Sequence, residues 1–160
     1  MTHVSSSELS SRSVALIDGD AGLGHIIANM AMNLAVEKSL ASGIVILSVF
    51  NSSHFGAAGY FALKAAQRGV IGLVMTSTRS PLVVPTFGCE PILGTNPIAF
   101  AAPAGRNKPF LLDMSTSTVA SNKIKIYGIN GWELPEGWVT DGDGCPVTDP
   151  KTLQEQKTGG

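Results

Sequence analysis

The sequence predicts an α/β fold with a mixed sheet and flanking helices, and three observations support this prediction. Apolar, β-branched runs of strand length alternate with longer segments whose apolar residues recur at helical spacing. The 160 residues are 44% hydrophobic and 14% charged, which is enough apolar material for one domain with a substantial core. The 18 glycines are typical of a compact fold with many tight turns between its elements.

The first half of the chain predicts strands and helices in alternation. The predicted strands are residues 14–17, 44–49 and 71–75, and the predicted helices are residues 25–42 and 57–68. The second and third strands are continuous apolar runs, so we expect them to be buried. Gly43 and Gly69 are expected to end the two helices. This order of elements predicts βαβ units.

The second half predicts two further strands and one helix. Residues 98–102 and 110–114 are predicted strands, joined by a short polar connection of hairpin type. The hydroxyl-rich run 115–118 predicts a helix start with a hydroxyl as N-cap, and the helix is expected to continue to Tyr127. Residues 132–150 are rich in Gly, Asp and Pro, so we expect loops and turns there.

The expected organisation is a flexible lead-in over residues 1–13, a central domain over 14–150 and a tail over 151–160. A net charge of −1 gives no reason to expect nucleic acid or an anionic membrane as a partner. No apolar stretch is long enough to span a bilayer, and the lead-in lacks the apolar core of a signal peptide. Cys89 and Cys145 are expected to be free thiols in a reducing cytoplasm, and a disulfide between them stays open.

His54 follows a predicted strand and precedes a predicted helix, so it lies on a short strand-to-helix loop. Such loops carry much of the chemistry of α/β proteins, because a rigid scaffold holds them. An imidazole takes or gives a proton near neutral pH. His54 is therefore either a proton-transferring residue or a histidine that only caps the helix.

Other polar residues are candidates for a ligand site, and each has an ordinary structural interpretation as well. Asp113 ends a strand, where it would orient a histidine, bind a ribose hydroxyl or cap a helix. Lys123 and Arg79 are candidate anion contacts or solvated surface charges. Trp132 and Trp138 are expected to be packing anchors rather than a binding cage.

Two further motifs are assigned to turns. The glycines of residues 18–24 run G-x-x-G-x-G, the reverse of the dinucleotide-binding order, so no Rossmann phosphate loop is predicted. Asp141 and Asp143 are spaced as in a calcium loop, but the bidentate glutamate that such a loop needs does not follow them. We therefore predict no metal site.

Five motifs together are specific enough to indicate a family. In chain order they are residues 18–25 (DGDAGLGH), 51–60 (NSSHFGAAGY), 93–97 (LGTNP), 112–117 (LDMSTS) and 135–138 (PEGW). They resemble the malate/L-lactate dehydrogenase family, which also holds ureidoglycolate dehydrogenase, sulfolactate dehydrogenase and Δ1-piperideine-2-carboxylate reductase. The resemblance covers about residues 14–150, nearly the whole chain.

The resemblance implies a non-Rossmann NAD(P)-binding domain that transfers a hydride between NAD or NADP and a small 2-hydroxy acid or cyclic imino acid. It also implies a homodimer, and the expected free thiols indicate a cytoplasmic location. His54 matches the family's proton-transferring histidine. The residues that match cofactor-contacting or recurrent positions of the family are Thr78, Asp113, Met114, Ser115 and Lys123.

The sequence also departs from the family pattern. Family members are longer, with an N-terminal segment that carries a Ser-His-Gly motif and a glycine-rich C-terminal segment, and neither motif is found here. Ser121 and Asn122 replace the usual pair before Lys123. The function that the resemblance predicts is that of an NAD(P)-dependent 2-hydroxy-acid dehydrogenase. The alternatives are a truncated, non-catalytic binding module of that family and an unrelated small-ligand binder.

Overall fold

The computed structural model describes residues 9–78 and 81–152. The chain divides into unit 1, Met1–Met75 with Ile98–Met114, and unit 2, Thr76–Pro97 with Ser115–Gly160. Most of the predicted lead-in, Arg79 and most of the predicted tail lie outside the described residues. In the part of the chain that is described, no helix is long and apolar enough to cross a membrane.

The first sheet of unit 1 has the order β1–β2–β3. Its strands and crossover helix are β1 (Leu9–Ser10), β2 (Val14–Asp18), α1 (Gly24–Ser42) and β3 (Ile46–Phe50). β2 and β3 are parallel, so the first predicted βαβ unit is confirmed. α1 packs Ile27 and Ala31 with Ile17 of β2, and Gly43 ends the helix with φ at 85°. β1 pairs antiparallel with β2, so residues 9–10 of the predicted flexible lead-in are strand.

The second sheet of unit 1 has the order β4–β5–β6 and is antiparallel throughout. Its strands and covering helix are α2 (Ala58–Gln67), β4 (Gly72–Met75), β5 (Ile98–Ala102) and β6 (Phe110–Met114). α2 packs Ala58, Ala62 and Ala66 against Ala99 and Ala101 of β5. Small side chains on both surfaces let the helix approach the sheet closely. The two predicted strands of the second half and their hairpin connection are confirmed.

Two predictions about the strands of the first half are wrong. β4 pairs with β5 in the second sheet, so β3, α2 and β4 do not form a βαβ unit. The apolar pattern indicates a strand but does not determine its partner. The predicted burial of β3 and β4 is wrong as well, since Ile46 is 67% and Met75 62% exposed. Alternate side chains of a strand point to opposite faces, and these two lie on the faces away from the helices.

Unit 2 is built mainly from loops, as the sequence predicted for residues 132–150. An aromatic cluster packs around Tyr127. Its ring centroid lies 5.4 Å from that of Trp132 and 5.1 Å from that of Trp138. Edge-on and tilted contacts of this kind are favourable ring geometries. These ring contacts agree with the predicted packing role of both tryptophans, and Trp132 stays 54% exposed.

The helix of unit 2 begins later than predicted. α3 covers Ser121–Asn130, whereas the run 115–118 predicted a start at Ser115. The hydroxyls of Ser115 and Thr116 instead donate to the Thr95 carbonyl at 3.0 and 3.2 Å. Serine and threonine side chains compete with helix formation when they find such partners. The predicted hydroxyl N-cap is therefore wrong, and α3 has no side-chain cap.

Candidate functional site

His54 lies on the loop between β3 and α2, where the sequence predicted it, and its side chain is exposed. The Gly56 N–H donates to His54 Nδ1 at 3.1 Å. Because Nδ1 accepts this hydrogen bond, we assign the proton of the neutral ring to Nε2. Gly56 precedes the helix, so His54 does not cap α2. Its ring is held by the loop, with Nδ1 occupied.

The loop that carries His54 is bonded to the loop between β2 and α1. Ser53 Oγ accepts the N–H of Gly24 at 2.9 Å and donates to the Gly22 carbonyl at 3.1 Å. These loops follow two adjacent parallel strands, whose carboxyl ends meet at the same edge of a sheet. The structure therefore brings together two motifs, residues 18–25 and 51–60, that the sequence singled out separately.

Asp113 lies on β6 and caps a helix, although not the one that follows it in the chain. Its Oδ2 accepts the N–H of Gly59 at 2.7 Å. Gly59 is in the first turn of α2, where free N–H groups and the helix dipole favour a carboxylate. A Cβ at Gly59 would lie 2.7 Å from the same oxygen, so this approach requires glycine. Met114, the next residue, ends β6 and is 56% exposed.

In unit 2, Thr78 and Ser115 are both bonded to a single turn. The Thr78 N–H donates to Asn96 Oδ1 at 3.1 Å, and Ser115 Oγ donates to the Thr95 carbonyl at 3.0 Å. A Cβ on Gly94 would overlap Thr78 Oγ1, so the glycine makes room for this hydroxyl. The LGTNP motif thus forms hydrogen bonds with two of the predicted cofactor-contacting residues, Thr78 and Ser115.

Lys123 lies in the first turn of α3, and its Nζ is 5.0 Å from the centroid of the Trp138 ring. This is a cation–π contact, which neither of the two interpretations of Lys123 anticipated. Lys123 thus contacts Trp138, whereas the hydrogen bonds of Thr78 and Ser115 described above go to residues 95 and 96 of the turn. Arg79, the other candidate anion contact, lies outside them.

Each unit contains a cavity that the sequence did not predict. In unit 2, a cavity of about 210 Å³ is lined by apolar side chains, by hydroxyl groups such as that of Thr95 and by Trp138. In unit 1, a more open cavity of about 490 Å³ is lined by His25, Asn29 and Tyr60 among others. Spacing along the chain gives no signal for these linings, because their residues come from separate segments.

The remaining candidates form no metal site within residues 9–78 and 81–152. No group of three or more His, Cys, Asp or Glu side chains there is placed to hold a metal ion. Asp141 Oδ1 accepts the N–H groups of Asp143 and Cys145 at 3.0 and 2.8 Å, so this segment is a turn, as predicted. Cys89 and Cys145 are both exposed free thiols.

Comparison with known proteins identifies the family. A family model described as malate/L-lactate dehydrogenase matches residues 3–159. The chain belongs to this family. The resemblance inferred from the five motifs is therefore confirmed, and so is the predicted mixed α/β fold of the malate/L-lactate dehydrogenase type.

Two family relatives illustrate the similarity in sequence. The chain is 54% identical over 132 residues to the malate dehydrogenase of Pyrococcus abyssi, covering 82% of this chain and 36% of that protein. It is 42% identical over 145 residues to the L-sulfolactate dehydrogenase of Methanocaldococcus jannaschii, covering 91% and 42%. The chain thus spans about two fifths of the length of these relatives.

A solved structure shows the same fold. The crystal structure of malate dehydrogenase from Entamoeba histolytica matches this family member with a TM-score of 0.87 at 38% identity. The match covers 94% of this chain and 42% of the other.

Proposed function

We propose that residues 14–150 form the cofactor-binding and catalytic part of an NAD(P)-dependent oxidoreductase. It would transfer a hydride between the nicotinamide and a small 2-hydroxy acid. The observation that carries this proposal is the exposed His54 imidazole, held on a strand-to-helix loop in a member of the malate/L-lactate dehydrogenase family. Relatives named malate and L-sulfolactate dehydrogenase support the substrate class, since malate and sulfolactate are both 2-hydroxy acids.

The residues present are compatible with a nicotinamide dinucleotide. Asp113 uses only Oδ2 in its bond to Gly59, so Oδ1 is an acceptor for a ribose hydroxyl. Gly94 lets the Thr78 hydroxyl occupy a position that a Cβ would overlap, and we assign this hydroxyl as a cofactor contact. The residues that we assign to the cofactor are Thr78, Asp113, Met114, Ser115 and Lys123. They do not discriminate between NAD and NADP.

His54 would move the proton that accompanies hydride transfer. In the oxidative direction the substrate loses a hydride from carbon and a proton from its hydroxyl, which leaves a 2-oxo acid. The bound nicotinamide supplies the hydride acceptor. In the tautomer assigned above the lone pair is on Nδ1, so uptake of the proton there would break the hydrogen bond from the Gly56 N–H. In the reductive direction the same ring returns the proton to the oxygen.

Cofactor binding is the first test of this proposal. NADH and NADPH are titrated into the purified chain, and both the tryptophan and the cofactor emission are followed. We expect micromolar affinity, about −8 kcal/mol, for at least one of them. Binding without turnover of malate, lactate, sulfolactate, ureidoglycolate or cyclic imino acids would favour the non-catalytic alternative. A folded chain that binds neither cofactor would contradict the assigned site.

Substitution of His54 tests its role. His54→Ala is expected to lower turnover by about a hundredfold or more, since proton transfer in the transition state contributes that much. The melting temperature should stay close to that of the wild type, because the side chain is exposed. Ser52→Ala is the matched control, since it shortens another exposed side chain of the same loop. Unchanged turnover in His54→Ala would show that the role is wrongly assigned.

We further propose that the chain forms a homodimer in the cytoplasm. β6 exposes four large apolar side chains, and exposed apolar patches are typical of interaction sites. These side chains are Phe110, Leu111, Leu112 and Met114. Light scattering after gel filtration is expected to give twice the mass of 16.6 kDa. A monomer mass at micromolar concentration would contradict the dimer.

A further inference from the structure

We infer that residues 18–24, here called the anchoring loop, position the His54 ring. The sequence singled out this glycine-rich motif, excluded a Rossmann phosphate loop and left it without a role. The inference rests on the proposed function, because it is the proton transfer by His54 that gives the positioning a purpose. Ser53 is the positioning residue that connects the anchoring loop to His54.

Backbone hydrogen bonds first join the two loops where β2 and β3 end. The Gly19 N–H donates to the Phe50 carbonyl and the Ala21 N–H to the Asn51 carbonyl, each at 2.9 Å. These bonds continue the parallel pairing of the two strands, whose last register pair is Asp18 with Phe50. The two loops therefore leave the sheet side by side.

Side chains then fix the conformation of both loops. Asp18 Oδ1 accepts the Asn51 amide N–H and the backbone N–H of Asp20, each at 2.9 Å. Ser53 Oγ is both acceptor and donor, to Gly24 and Gly22, as described above. Ser53, the residue directly before His54, thus forms hydrogen bonds with two residues of the anchoring loop.

The glycines of the motif are explained by how closely the two loops approach. A Cβ on Gly19 would lie 2.8 Å from the Asn51 carbonyl oxygen, which is backbone and has no freedom to move aside. A Cβ on Gly24 would lie 2.6 Å from the His54 carbonyl oxygen and would overlap that of Ser53. Glycine is required at both positions for packing against the His54 loop, and no phosphate group is needed to explain the motif.

The orientation of the imidazole depends on the same loop. The Gly56 N–H reaches His54 Nδ1 only while the backbone between Ser53 and Gly56 keeps its present conformation. On the other side, a Cβ on Gly56 would lie 2.8 Å from His25 Nε2, so the first turn of α1 also abuts this backbone. Loss of the Ser53 bonds should release the loop, and a displacement of about 1 Å at a reacting group costs about a hundredfold in rate.

The experiment compares Ser53→Ala with Ser52→Ala. The Ser52 hydroxyl is exposed and makes no hydrogen bond among the described residues, so it is a matched control one position away. The ring nitrogen shifts of His54 are measured by NMR without substrate or cofactor, with His54→Ala used to assign them. In the wild type and in Ser52→Ala we expect one protonated and one unprotonated nitrogen, as the Nε2–H tautomer requires.

In Ser53→Ala the two nitrogen shifts should move toward each other, because the ring then exchanges between tautomers. The kcat should fall by about a hundredfold with KM little changed. If Ser53→Ala does not fold, Asn51→Gly takes its place. This substitution removes the hydrogen bond to Asp18, and glycine readily adopts the φ of 49° that is found at this position.

Two results separate this inference from the proposed function. Absence of turnover in the wild-type chain would contradict the proposed function only, because the nitrogen shifts are measured without any reaction. Wild-type His54 shifts in Ser53→Ala, or in Asn51→Gly if Ser53→Ala does not fold, would overturn the positioning role of the anchoring loop.

Discussion

The carboxylate of Asp113 gives a prediction whose size can be estimated from the structure. Asp113→Ala removes the acceptor of the Gly59 N–H in the first turn of α2. Loss of such a cap costs about 1 kcal/mol, and loss of a negative charge at a helix N-terminus about 0.3–1 kcal/mol more. We therefore expect the free energy of unfolding to fall by about 1.5 kcal/mol. Asp113→Asn keeps an oxygen acceptor and should lose only the charge contribution, about 0.5 kcal/mol.

The assay is thermal unfolding followed by circular dichroism, without cofactor, so that a ribose contact does not contribute. For a chain of this length, 1 kcal/mol corresponds to about 2–4 °C in Tm. We expect a decrease of about 5 °C for Asp113→Ala and about 2 °C for Asp113→Asn. Asp143→Ala is the control, because its carboxylate accepts no hydrogen bond among the described residues.

A second substitution tests the same contact from the helix. Gly59→Ala would ordinarily stabilise a helix interior by up to about 1 kcal/mol. Here it should destabilise, because the new Cβ would lie 2.7 Å from Asp113 Oδ2. Wild-type Tm in Asp113→Ala, or a higher Tm in Gly59→Ala, would refute the capping role of Asp113.

Three further predictions concern unit 2. Gly94→Ala should destabilise the chain by about 1–3 kcal/mol and weaken cofactor binding, because the added methyl group overlaps Thr78 Oγ1. Gly142→Ala, where a Cβ meets nothing within 4 Å, is its control in the same melting and titration experiments. Lys123→Met should change the tryptophan emission and cost about 0.5–1 kcal/mol, the usual size of an exposed cation–π contact. An unchanged emission spectrum would argue against that contact. Both cysteines are exposed free thiols, so a thiol reagent should titrate two groups per folded chain, and a lower titre would contradict this.

Local sequence patterns predicted the positions of the strands better than the pairing between them. The strands over residues 98–102 and 110–114 have the predicted bounds, because polar residues rich in turn formers separate two apolar runs. The pattern around β4 is no different from that of a βαβ strand. Yet β4 pairs with β5, and residues 76–97 of unit 2 lie between these two strands in the chain. Pairing of this kind depends on long-range packing, which local periodicity does not encode.

At the candidate site too, the sequence predicted where residues lie in the elements but not which distant residues they contact. The loop position of His54 follows from the order of a strand and a helix, and the sequence predicted it. The partner of Asp113 lies 54 residues away in the sequence and the partner of the Ser115 hydroxyl 20 residues away. Hydroxyls before an apolar run predict an N-cap, but here a tertiary acceptor at Thr95 competed successfully for them.

The distribution of chromophores has a practical consequence for unfolding experiments. Both tryptophans belong to unit 2, where they pack on Tyr127. Most helical residues belong to unit 1, because α1 has 19 residues and α2 has 10, whereas α3 of unit 2 has 10. Tryptophan emission therefore monitors one unit, and the helical circular dichroism signal mainly the other. Coincident transitions would show a single cooperative unfolding event, whereas separate transitions would mean that each unit has its own free energy of unfolding.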